Sequence, residues 1–122
     1  MKLKPFILRF ICILAAVLVF TFFDWIVHSS FEALAVPSWY FRNKIIYGTI
    51  IAFVASLVFR KVSIPKQAAL ITIFTVGLLQ IRYALYGYPW WFHVIVLTEH
   101  AIFLFITSFV ALKILSRLAK HL

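Results

Sequence analysis

Apolar residues fall into four long runs separated by short polar punctuation. The first extends from Pro5 to Phe23, broken only by Arg9, and continues through Asp24, Trp25, Ile26 and Val27 to the pair Ser29 and Ser30. A second run lies between Lys44 and Arg60 and a third between Lys66 and Arg82, each with 15 uncharged residues inside. The fourth runs from Trp90 to Leu112 and is long enough to cross a bilayer outright. At 1.5 Å per residue the middle runs cover roughly 22 Å, short of a roughly 30 Å hydrocarbon core. Tyr40 and Phe41 before the second run, and Tyr83 to Leu85 after the third, supply the extension. Pro37, Pro65, and Gly87 with Pro89 mark the breaks. The pattern predicts one all-α integral membrane domain over residues 1–122. Its four transmembrane helices, approximately 6–30, 41–60, 65–86 and 90–116, form an antiparallel up-down bundle.

Composition sharpens this reading. The chain is 66% hydrophobic, against roughly 45–50% in soluble domains, and its mean hydropathy is +1.09. A soluble domain of this length buries only about two thirds of its unfolded surface, which excludes a secreted or cytosolic enzyme. A basic start, an apolar stretch and Ala33, Leu34, Ala35 formally match a signal peptide. The stretch is much longer than an h-region, however, and Asp24, His28 and Glu32 intrude, so it is read as a retained first helix.

Twelve Lys and Arg against three acidic residues give a net charge of +9. In this setting the excess is topological. The N-terminal segment (Lys2, Lys4, Arg9), the second loop (Arg60, Lys61, Lys66) and the C-terminal segment (Lys113, Arg117, Lys120) hold nine; Arg42, Lys44 and Arg82 hold three. The positive-inside rule places both termini in the cytoplasm of a multi-pass protein of the cell membrane. Trp39, Tyr40, Tyr83, Tyr86, Tyr88, Trp90 and Trp91 then form an outer aromatic belt. The expected partners are the lipid bilayer and either other membrane subunits or a second copy. Nucleic acid is not expected, because the aromatic residues lie inside the apolar runs. The lone Cys12 excludes a disulfide or a CxxC pair within one chain.

The candidate chemistry is concentrated toward the outer side. All three acids and three of the four histidines lie there: Asp24, His28 and Glu32 near the end of the first helix, His93, Glu99 and His100 in the fourth. Counting from Ser29 and Trp91 puts Asp24 roughly 8 Å and Glu99 with His100 roughly 12 Å below the interface. Asp24 and His28 are i, i+4 neighbours, His93 and His100 share a face at i, i+7, and Glu99 points about 100° away from His100. Asp24, His28 and His100 are therefore candidate metal ligands, with His93, Glu99, Arg82 and Glu32 supporting them or forming ion pairs, Arg82 with Glu99 in particular. Carboxylate plus imidazole suits zinc or copper.

Other readings of the same residues are a purely structural cluster in an accessory or scaffold subunit, a b-type haem held by two histidines, or a proton-coupled transport component using Asp24 or Glu99. The Asp24-x3-His28 turn resembles the paired-ligand turns of cation diffusion facilitator transporters and the copper-ligand turn of particulate methane and ammonia monooxygenases. The resemblance covers five residues, implies metal ligation by Asp24 and His28, and extends to no second paired turn. On the second helix Gly48, Ala52 and Ser56 form a small-xxx-small stripe for helix packing, within the chain or with another. No GxSxG, HExxH or glycine-rich phosphate loop is present.

Overall fold

The computed structural model describes residues 2–122 and contains four α-helices: α1 Leu3–Ser30, α2 Trp39–Val58, α3 Ile64–Tyr83 and α4 Trp90–Ala119. Single 3₁₀ turns, Glu32–Leu34 and Ala84–Tyr86, occupy the first and third connections. Each helix is long and apolar enough to cross a membrane. Even the 20-residue α2 and α3 reach roughly 30 Å, the thickness of a hydrocarbon core.

Backbone chemistry sets the ends. Phe31 turns extended and closes α1. Pro65 sits in the first turn of α3, where a missing N–H leaves no helical bond unmade. Gly87, at φ +70°, takes the left-handed conformation that a Cβ would penalise and reverses the chain ahead of α4. Gln67 Nε2 donates to the carbonyls of Val62 (2.8 Å) and Arg60 (3.3 Å), which pins the tight turn between α2 and α3.

Helix α1 packs against α2 and α4, and α3 packs against the same two. The helices thus form a ring in chain order. The touching pairs Asp24 with Lys44, Val17 with Gly48 and Arg9 with Ser56 descend α1 as they ascend α2. Tyr40 with Tyr83 and Phe59 with Phe74 do the same for α2 and α3, and His28 with Phe92 and Phe23 with Phe103 for α1 and α4. Neighbours are antiparallel. The start of α1, the end of α4 and the 59–63 turn share one end of the bundle, the terminal end, and the 3₁₀ turns lie at the far end.

Side chains sort in the reverse of a water-soluble bundle. Phe22, Ile50, Val58, Ile73, Ile81 and Val94 are all more than half exposed, whereas Thr21, Asp24, Lys44, Ser56, Thr75 and His100 are buried. An apolar surface this continuous is stable against lipid and not against water. Some buried hydroxyls are satisfied within their own helix: Thr72 Oγ1 donates to the Ala68 carbonyl and Ser56 Oγ to that of Phe53, each at 2.8 Å. Toward the terminal end the interior is apolar and small, built from Ile13, Val17, Ala52, Ala55, Ile71 and Leu112. Gly48, Ala52 and Ser56 all turn into this interior. A Cβ on Gly48 would lie 3.6 Å from Val17 Cγ1 and 3.8 Å from Leu79 Cδ1, so the stripe brings α2 close to both α1 and α3 within one chain.

Candidate metal centre

The far half of the interior is polar, and three helices build it. Asp24 and His28, one turn apart, project from α1; Tyr40 and Lys44, also one turn apart, from α2; Glu99 and His100 from α4. Asp24, Lys44 and His100 have no exposed surface. His100 Nε2 lies 2.9 Å from Asp24 Oδ1, and His28 Nε2 lies 3.2 Å from the same oxygen. The Glu99 carboxylate reaches to 3.4 Å from His100 Nε2. One donor atom from each of Asp24, His28, Glu99 and His100 lies within 4.8 Å of every other.

His28 is oriented from behind. Its Nδ1 stands 2.5 Å from the Leu34 carbonyl in the first 3₁₀ turn. A carbonyl only accepts, so Nδ1 carries the hydrogen, which leaves Nε2 facing Asp24. This is the arrangement by which metal-ligating histidines are commonly fixed. Edge contacts of His28 with Tyr40 and of His100 with Phe20, at ring separations of 5.0 and 5.3 Å, hold the imidazole planes.

Lys44 enters the middle of this set. Its ammonium donates to Asp24 Oδ2 in a close ion pair, to Tyr40 Oη at 2.9 Å and to His100 Nε2 at 2.7 Å. Three ammonium hydrogens meet three acceptors. The Tyr40 ring lies 4.1 Å from Nζ and those of Phe20 and Tyr83 at 5.4 and 5.8 Å, which adds cation–π attraction to the buried ammonium.

Hydrogen accounting leaves the cluster rich in lone pairs. With Nζ donating to His100 Nε2, that nitrogen has no hydrogen for Asp24 Oδ1. Both Glu99 oxygens are buried without a hydrogen-bond partner, and so is the Nδ1–H that His100 then carries. Acceptors converging this way need a further cation or proton to be stable. A metal fits the spacing: ligands at roughly 2.0–2.1 Å from a tetrahedral ion stand roughly 3.3 Å apart, three of the six donor pairs here are separated by 2.9, 3.2 and 3.4 Å, and all lie within 4.8 Å.

The sequence-derived candidates divide cleanly. Asp24, His28 and His100 meet, and Glu99 joins them. Arg82 does not reach Glu99: among the described residues no ion pair links them, and its guanidinium lies 5.4 Å from the Tyr47 ring centre. That expectation is corrected, because Arg82 is exposed beside an aromatic face while the Glu99 carboxylate turns back toward His100. His93 bonds Gln80 at 2.8 Å, apart from the cluster, and Glu32 is exposed in the first 3₁₀ turn.

Lys44 and Tyr40 are the members of the cluster that helix counting misses, because by position they read as a flanking charge and an interfacial aromatic. Their signal is present all the same. Tyr40, Lys44, Gly48, Ala52 and Ser56 recur at every fourth position, so the inward stripe, followed back toward the N-terminus of α2, carries Lys44 into the core.

Comparison of the chain with protein-family models, with curated proteins and with solved structures finds no match.

Proposed function

We propose that the four helices span the cell membrane with both termini cytoplasmic, and that Asp24, His28, Glu99 and His100 bind one divalent transition metal, zinc before copper, in the outer half of the bundle. One observation carries the metal reading: four buried donor atoms from two helices lie within 4.8 Å of one another. Two carboxylates match the charge of a divalent ion, and neutral imidazole with carboxylate is the donor set zinc favours. Lys44 Nζ already holds two of these ligands, Asp24 and His100, so it is a tethered cation that yields its place when metal enters. Its flexible four-carbon stem permits that movement. A haem between the two imidazoles is disfavoured by the same geometry, since Asp24 Oδ1 touches both rings.

The test is metal binding by purified protein in detergent. Wild type is expected to hold one equivalent of zinc, His28→Ala to lose it, and Lys44→Met, which removes the competing cation, to bind about tenfold more tightly. Zinc affinity indistinguishable among the three folded proteins sinks the metal site. The topology is tested separately: a cysteine introduced by Ser63→Cys is expected to resist an impermeant thiol reagent added outside intact cells.

A second reading is favoured by Lys44 itself. An ammonium satisfied by groups from α1, α2 and α4 pins three helices, which is the role of polar glue in a non-catalytic subunit of a larger membrane complex. Partner chains that copurify with wild type and with metal-free His28→Ala alike favour this reading.

A further inference from the structure

The terminal end carries a feature that the metal centre does not use. Between α2 and α3 an apolar groove of about 370 Å³ is lined by Ile50, Val54, Val58, Phe59, Phe74 and Leu78, with almost no polar surface. From Ile50 to Val58 it runs roughly 12 Å along α2, most of one leaflet of a roughly 30 Å core. Its floor at the terminal end is the stacked pair Phe59 and Phe74, with ring centres 5.6 Å apart. Directly beyond Phe59 come Arg60 and Lys61, with Lys66 across the turn, all exposed. The turn that presents them is held by Gln67, and Arg60 spends one N–H on the Leu57 carbonyl at 2.9 Å, leaving the rest of its guanidinium free. The three acidic residues all lie toward the far end, so no acidic side chain neutralises this charge.

We infer that this groove binds a single anionic phospholipid, one acyl chain lying between α2 and α3 and the phosphate held by Arg60 and Lys61. The inference rests on the membrane reading above and is independent of the metal centre. An apolar slot whose last lining residue on α2, Phe59, is followed in sequence by two exposed cations suits a lipid with a charged head. A second copy or a partner helix fits less well. Helices associate in lipid through small residues that permit close approach, and here the small stripe Gly48, Ala52, Ser56 faces inward, while Ile50, Val54 and Val58 present branched side chains to the groove.

Intact-mass measurement on protein released from micelles with equal parts of phosphatidylglycerol and phosphatidylcholine tests this. Wild type is expected to retain one phosphatidylglycerol in about tenfold preference, as two basic residues near a phosphate allow. The double variant Arg60→Gln, Lys61→Gln is expected to lose the preference, and Val54→Trp, which fills the groove, to lose the adduct while melting like wild type. Adducts in proportion to supply, undiminished adducts in Val54→Trp, displacement of the lipid by inorganic phosphate, or a dimer mass in place of the lipid adduct would each overturn the site. Failure of the membrane reading is distinguishable, because a chain that stays monomeric in water without detergent shows it before any lipid is weighed.

Discussion

The two ends of the bundle are held together by different physics. At the far end, Asp24, Lys44, Tyr40, His28 and His100 tie α1, α2 and α4 through short polar contacts. At the terminal end the same helices meet through Ile13, Val17, Ala52 and Leu112, and among the described residues the one polar bond from helix to helix there is that of Arg9 Nη1 to the Ser56 carbonyl, at 3.3 Å. In water the apolar end would dominate stability through the hydrophobic effect. In lipid that force between helices vanishes, leaving shape and polar contacts. The difference teaches where register is specified: a ridge of alanines tolerates a slip that a lysine with three fixed acceptors does not.

The largest test of this contrast is Asp24→Ala. It leaves the Lys44 ammonium buried without its counter-charge, and removing one partner of a buried pair costs roughly 3–5 kcal/mol. Equilibrium unfolding in detergent should show it. The double variant Asp24→Leu, Lys44→Met should regain most of that loss while binding no metal, which separates the structural weight of the pair from its chemistry. An Asp24→Ala protein as stable as wild type would remove the polar end from any role in holding the fold.

At the apolar end Ile71→Ala, at a position with no exposed surface, opens a cavity in the packed interior. The expected loss is about 2–3 kcal/mol, with zinc binding unchanged by titration. A metal defect in Ile71→Ala would mean that the two ends are coupled.

Much of this architecture is legible from the sequence, and the gaps have physical causes. Four helices follow from apolar runs, because in lipid every backbone polar group must bond within its own segment. The meeting of Asp24, His28 and His100 follows from counting 1.5 Å steps on antiparallel helices. Lys44 is lost because a lysine at the head of a short apolar run normally snorkels to the interface. Only its place on the Gly48 stripe argues otherwise. Glu99 starts about 100° from His100 around the helix, yet its side chain is long enough to fold back, and helical angle alone does not fix where a carboxylate ends up.

A finer probe of the polar end is Tyr40→Phe. It keeps the ring against Lys44 and removes one of three acceptors, so stability should fall by about 1 kcal/mol. Zinc should bind somewhat more tightly, since the competing ammonium is held less firmly. Weaker zinc binding in Tyr40→Phe would instead make the hydroxyl a partner of the metal site.

The smallest effect is expected at the stripe that crosses from one regime to the other. Gly48 lies one turn below Lys44, and an added methyl would meet Val17 and Leu79 at 3.6 and 3.8 Å, ordinary van der Waals separations. Alanine there should raise helix propensity, a gain bounded by about 1 kcal/mol, with no change in oligomeric state because the position faces the interior of its own bundle. Gly48→Leu lacks that room and should separate α2 from its neighbours, lowering stability and loosening Lys44 together. If Gly48→Ala instead shifted a monomer–dimer equilibrium measured in detergent, the stripe would be an interface between chains, and close packing at the apolar end would belong to an assembly of which this bundle is one part.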